Sequence, residues 1–191
     1  MFDWRWDFTF EILPRLLLAT LNTLAAAGIG YGIALVLGLI FALAQRTPYR
    51  PVTIVVREVV EFIRSTPLVL QIFFVFYVGP QFGVRLSPWT SGMIAIGLHY
   101  AAYLSEVYRG GLEAVPRGQW EACRALHLST ARTYFRIIIP QALPAALPGM
   151  GNYLVGIFKD TPMLSVIAVT DTRPASTEIL ARGNSSSLAT A

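Results

Sequence analysis

The sequence holds one lysine, one cysteine and two histidines among 191 residues. Each shortage excludes something. Cys123 alone cannot build a disulfide framework or a thiolate metal cluster within one chain. His99 and His127 have no acidic residue at metal-ligand spacing beside them, and neither HExxH nor GxSxG occurs. No metal, cofactor or catalytic constellation is therefore expected. Lys159 precedes Asp-Thr instead of standing in GxxxxGK[ST], so the chain has no phosphate-binding loop of its own. Charge is scarce as well. Only 14% of the residues are charged, against about a quarter in ordinary soluble domains.

What replaces charge is long apolar runs. The chain is 54% hydrophobic, with mean hydropathy +0.55. A bilayer-spanning helix needs roughly 20 mostly apolar residues, and several windows reach or approach that. The composition predicts an all-α integral membrane protein. Net charge is +4, but the arginines are scattered between apolar segments without a continuous basic face, which argues against nucleic acid. The N-terminal MFDWRWDFTFEILPR lacks a basic n-region and a small-residue cleavage site. Targeting is expected from the first span itself.

Four spans are predicted, over residues 13–44, 55–78, 88–105 and 141–158, within a membrane domain of residues 1–169. In the first, Gly28, Gly30, Gly32 and Gly38 offer a small face for close helix packing. The second carries Glu58, Glu61 and Arg64 in one half, and its strictly apolar part, 68–78, is too short to cross alone. The charged half must lie at the interface or against protein. Loops after spans one and three hold most of the arginines, so the positive-inside rule puts them in the cytoplasm and the N-terminus outside. Trp4, Trp6, Phe8 and Trp89 suit the outer interface. The last residues, 170–191, read as a polar, disordered tail.

Residues 121–144, EACRALHLSTARTYFRIIIPQALP, set three arginines and a glutamate between apolar runs. Glu121 to Leu128 favours a helix with a narrow stripe of Ala122, Ala125 and Leu126. Ser129 is a plausible N-cap for a second short helix, which Pro140 is expected to end. The physical alternatives are an amphipathic loop on lipid headgroups and a projection that docks in a partner's groove.

This stretch resembles the cytoplasmic loop signature of ABC-transporter permeases: E-A-A, three residues, G, nine residues, I-x-L-P. Glu121, Ala122, Cys123, His127, Ile137, Ile139 and Pro140 stand at those positions. Cys123 replaces Ala, Ile139 replaces Leu, and His127 replaces a Gly suited to a left-handed turn. EFIRSTPLVLQ (61–71), EVYRGGLEAVPRGQWEA (106–122) and PQALPAALPGMGNYLVGIFKDTPMLSVIAV (140–169) resemble polar amino-acid uptake permeases. GLHYAAYLSEVYRGG and FKDTPMLS lean towards the ectoine/hydroxyectoine branch. The resemblance covers residues 10–169.

It implies a type I ABC importer permease bundle with about four transmembrane helices here, where the family normally has five. The apparently missing last span suggests a truncated or altered C-terminus. It also implies a coupling loop at 106–139, in which Glu121 makes the charged contact with a cytoplasmic ABC ATPase. Ala122 would permit close approach, Leu126 and His127 would complete the loop, and Pro140 would set the exit angle. A second permease subunit, identical or not, an external solute-binding protein and lipid complete the partners. The location is a bacterial inner membrane, crossed several times. Such a subunit would move polar amino acids or a compatible solute such as ectoine and hydrolyse no ATP itself.

Membrane-embedded polar groups are costly facing lipid. Thr66, Gln71, His99, Tyr103 and Asn152 are therefore solute-path candidates, each against the plainer reading of a helix–helix hydrogen bond. Lys159 and Asp160 form either a local ion pair or a zwitterion-recognising pair. Pro140, Pro144 and Pro148 recur every four residues on one helix side and each removes a backbone bond. A small secondary transporter or a membrane scaffold is the rival class; four spans without an internal repeat are few for a transporter of that kind.

Overall fold

The computed structural model describes residues 6–164 and Ile167, and every element among them is helical. Trp4 and the 170–191 tail lie outside the described residues. The first helix, α1 (Trp6–Ala44), contains Ile12–Ala44, which among the described residues is the one helix long and apolar enough to cross a membrane unaided. Its inner face is made of small residues. Ala27, Ala34 and Ala42 are fully or almost fully buried and recur every two turns.

Gly30 and Gly38 share that face. A Cβ on Gly38 would meet the Ala101 carbonyl oxygen and Leu104 Cβ at 3.0 Å. Such close approach is how helices gain contact where lipid is as apolar as leucine. Gly28 and Gly32 look instead onto open space, so half of the expected glycine face packs.

The second expected span is not one helix. α2 (Arg50–Ser65) and the segment Leu68–Phe82 meet at 106° across Thr66 and Pro67. Pro67 causes the break, because its ring pushes the preceding residue out of the helical region: Thr66 has φ −96° and ψ 128°. After it come α3 (Leu68–Phe73), a π turn Phe74–Val78 and a 3₁₀ turn Gly79–Phe82. The charged α2 half buries only Val60 and Ile63, against Ala102, Leu98 and Phe41.

α4 (Pro88–Glu113) is the centre of the bundle. Ser87 caps it, its hydroxyl oxygen accepting from the Thr90 amide at 3.1 Å, and Pro88 takes the first turn where a missing N–H costs nothing. It runs two turns beyond the expected end at 105. The packing pairs give directions. Gly30 lies by Ile96 and Gly38 by Ala101 and Ser105, so α1 and α4 are parallel. α7 (Ile139–Asp160) is antiparallel to α4, with Gly156 against Tyr100, Gly149 against Val107 and Gly111 against Ala142 and Ala146. Neither α4 nor α7 is apolar enough to cross unaided. In α4 the polar and small residues Ser91, Gly97, His99 and Ser105 are buried against other helices, and α7 buries Ala142 and Ala146, which removes the need for an apolar surface all round.

α5 (Arg117–Ala125) and α6 (Thr130–Thr133) connect α4 to α7. Pro140 does not end the second of these. Helix continues from Thr130 to Asp160 through a π turn at Tyr134–Ile138. There the Ile139 amide reaches back five residues to the Tyr134 carbonyl. The widened turn lies just before Pro140, where a missing amide and a crowded carbonyl would otherwise break the helix. Pro140, Pro144 and Pro148 do share one exposed side of that helix, as their spacing predicts.

Candidate functional site

Two places concentrate function-bearing side chains. The first is the α5 projection. Arg46, just after α1, lies over the Trp120 ring at 5.3 Å, so the arginine-rich segments after α1 and α4 share one end of the bundle. Trp120 meets Tyr134 edge-on at 5.5 Å, and Cys123 is buried beneath the helix at 3% exposure. These contacts anchor one face of α5. The other face carries Glu121, Ala122, Ala125 and Leu126, all exposed, with Leu126 at 71%. The predicted apolar stripe therefore points away from the protein's own core. Upstream, Glu106 accepts from Arg109 at 2.6 Å and Glu113 does so at 2.8 Å. Those hydrogen bonds push the Arg109 guanidinium up from its already high ordinary value and tie down the end of α4.

α5 ends in a Schellman turn. The Leu128 amide donates to the Cys123 carbonyl at 3.1 Å and the His127 amide to the Arg124 carbonyl at 3.0 Å. His127 occupies the left-handed position with φ 48°, the one non-glycine residue at positive φ among the described residues. The turn that glycine would favour is thus kept with histidine, because the two backbone bonds close it whatever the side chain. Ser129 then caps α6, its hydroxyl accepting from the Arg132 amide at 3.4 Å, as its position predicts.

The second place is a cavity of about 310 Å³ between α4 and α7, within the usual range for small-molecule sites. His99, Tyr103, Asn152, Lys159 and Asp160 line it together. Lys159 and Asp160 do not pair with each other, since successive helix residues point apart. Asp160 instead accepts from the Tyr100 hydroxyl at 2.6 Å. Lys159 has no carboxylate partner among the described residues. The aromatic rings form a wall: His99 to Tyr103 is 5.1 Å between centroids, Tyr103 to Tyr153 is 5.4 Å, and Tyr100 to Tyr153 is 6.1 Å.

Sequence reasoning missed Tyr100 and Tyr153. Spacing could have found them, for 152, 153, 156, 159 and 160 fall on one face of α7, opposite 99, 100 and 103 of α4.

Thr66 and Gln71 do not line this cavity. They cap the broken end of α2. The Thr66 hydroxyl donates to the Phe62 carbonyl at 2.7 Å, and Gln71 Nε2 donates to the carbonyls of Ile63 at 2.8 Å and Thr66 at 3.0 Å. Tyr103 joins them, donating to the Arg64 carbonyl at 3.2 Å. Among the described residues no group of three or more His, Cys, Asp and Glu could hold a metal.

A long apolar first helix, a bent second segment and inner helices packed through small residues give an all-helical bundle of the kind expected in a membrane. The comparisons agree. The fold superposes on the crystal structure of an amino acid ABC transporter with histidines, with TM-score 0.79 and 30% identity over 87% of this chain and 78% of that one. Residues 34–190 match the binding-protein-dependent transport system inner membrane component, and the chain belongs to that family. The match runs past residue 169, where the motif resemblance stops.

Among relatives, a probable amino-acid ABC transporter permease of Sinorhizobium fredii is 43% identical, covering 90% of this chain and 77% of its own length. The L-cystine transport system permease of Bacillus subtilis is 40% identical over 78% of this chain and 63% of its own length. The arginine ABC transporter permease of Escherichia coli is 34% identical over 77% and 75%. The chain is thus an all-α membrane permease subunit of an ABC importer, related to amino-acid permeases, which are transport subunits and not themselves catalytic. Such a subunit works in general with an ATPase and a binding protein.

Proposed function

We propose that this chain is the multi-pass transmembrane subunit of an inner-membrane importer for polar amino acids or a compatible solute such as ectoine or hydroxyectoine. It pairs with a second permease subunit, receives solute from an external solute-binding protein, and is driven by a cytoplasmic ATPase that grips α5. One observation carries the docking reading. α5 is anchored through Trp120 and Cys123 on one face while Glu121, Ala122 and Leu126 stand exposed on the other. A rigid short helix with a free small-residue face seats in a groove without ordering cost. Glu121 supplies the charged contact, Ala122 the close approach, Leu126 the apolar contact and His127 the turn. Cys123 underpins the helix. The π turn before Pro140 gives the exit angle.

The cavity residues His99, Tyr103, Asn152, Lys159 and Asp160 form the solute path. Lys159 faces the carboxylate and Asp160 the ammonium of a zwitterion, and the tyrosine wall suits a cationic group. Co-purification tests the reading. The ATPase co-elutes with the unaltered chain and is lost on Glu121→Arg, while the permease still assembles with its permease partner. An ATPase that stays bound to Glu121→Arg, or none bound at all, points to the scaffold or secondary-transporter class.

A further inference from the structure

The break between α2 and α3 has a consequence inside the cavity. Pro67 ends α2, and its last-turn carbonyls need donors from elsewhere. Gln71 Nε2 lies 2.8 Å from the Ile63 carbonyl oxygen and 3.0 Å from that of Thr66. Carbonyls only accept, so the amide nitrogen has to face them; a reversed amide would bring three oxygens together. That same nitrogen is 3.0 Å from His99 Nδ1. The amide nitrogen has two hydrogens for these three neighbours, so one hydrogen is shared, and it offers no lone pair; Nδ1 is therefore an acceptor and carries no proton. A proton on Nδ1 would set N–H against N–H.

The proton of the neutral ring is then on Nε2. Gln71 lies behind the ring, in a neighbouring apolar hollow with Phe62, Ile63 and Thr66. His99, not Gln71, lines the polar cavity with Tyr100, Tyr103, Lys159 and Asp160. Oε1 of Gln71 is buried without a partner among the described residues, so nothing competes to turn the amide round.

We propose that Gln71 is a positioning residue: it holds His99 as a neutral Nε2–H donor, which selects solutes that present an acceptor, their carboxylate first, at that ring. This rests on the cavity being the solute path. A donor there complements the Lys159 ammonium on the carboxylate side. A solute offering only an amine at that point meets two donors and is turned away. The helix break and the selectivity of the site are then one device, since the carbonyls freed by Pro67 dictate the amide, and the amide dictates the imidazole.

Nitrogen NMR of the assembled transporter tests this directly, with ¹⁵N-histidine in this chain only and a His127→Gly sample to assign the two imidazoles. The expected spectrum shows His99 protonated on Nε2 and bare on Nδ1. Gln71→Glu puts an acceptor behind the ring and moves a proton onto Nδ1. A His99 already protonated on Nδ1, or a spectrum unmoved by Gln71→Glu, overturns the inference.

Uptake of the best transported of L-arginine, L-glutamine and L-cystine gives a second readout. Gln71→Glu raises KM by about tenfold with little change in maximal rate, the loss expected for one hydrogen bond to a charged group. His99→Gln has no tautomer to set, so in that background Gln71→Glu leaves KM unchanged. An equal tenfold rise there means that Gln71 acts only on the fold, and overturns the positioning role. If none of the three amino acids perturbs the His99 signals while the tautomer is as expected, the cavity reading falls and the tautomer assignment stands.

Discussion

Two of the helix breaks, at Thr66–Pro67 and at Leu126–Leu128, are repaired in opposite ways. At Thr66–Pro67, side chains do the capping: Thr66, Gln71 and Tyr103 reach the carbonyls of Phe62, Ile63, Thr66 and Arg64. At Leu126–Leu128 the backbone closes on itself in a Schellman turn, and the Leu126 and His127 side chains stay exposed while Leu128 is half-buried. The difference follows the surroundings. Water can satisfy a frayed end beside α5, whereas a carbonyl freed inside an apolar bundle must be given a donor by the protein. A side-chain cap also ties the break to distant elements. Gln71 and Tyr103 connect α2 to the cavity, while the Schellman turn connects α5 to nothing else and leaves its outer face free.

Substitutions at the two breaks should separate these modes. The largest effect is expected at Gln71→Leu, which leaves the Thr66 carbonyl without a donor and weakens the cap on Ile63. Equilibrium unfolding in detergent should show a loss of about 2–3 kcal/mol. Tyr103→Phe removes one donor, from Arg64, and should cost about 1–2 kcal/mol in the same assay. A cost near zero for both would mean that water enters the break and that the contrast is false.

At the solvent break the effects are local and smaller. Ser129→Ala removes the cap of α6 and should cost about 1 kcal/mol, seen as faster hydrogen exchange at Arg132 with Gln71 region exchange unchanged. Last, His127→Gly relieves the left-handed strain and should slow exchange of the Leu128 amide, a gain of about 0.5–1 kcal/mol. Slower ATP-driven uptake in that variant, despite the firmer turn, would indicate that the imidazole itself touches the ATPase.

Much of the α5 region was legible in the residues because its determinants are local. Ser129 caps where its spacing to the next apolar positions says it should, and the Ala122–Leu126 stripe follows from helical periodicity. Pro140 misled, since a proline read alone ends a helix, whereas here a π turn accommodates it, with Tyr134, Ile137 and Ile138 of that turn packed by Leu112, Val115 and Ala142. The polar residues of the spans were harder. Thr66, Gln71, His99 and Tyr103 look alike as embedded polar groups, yet Thr66 and Gln71 cap a break, His99 lines the cavity and Tyr103 does both. Separation along the chain hid the link, for Gln71 and His99 stand 28 residues apart. The same holds for Tyr100, whose partner Asp160 is 60 residues away.

By itself the sequence determined the class of molecule, the long apolar first helix and the Ser129 cap after α5, because hydropathy, helical period and capping act over a few neighbouring residues. Only the tertiary structure decided that the predicted second span bends by 106° at Thr66–Pro67 and that α4 lies at the centre. It alone brought His99, Tyr103, Asn152, Lys159 and Asp160 around one cavity. Those outcomes depend on which helix faces meet. Small residues such as Gly38 and Gly156 settle that by allowing close contact with one particular neighbour, a choice no single segment contains.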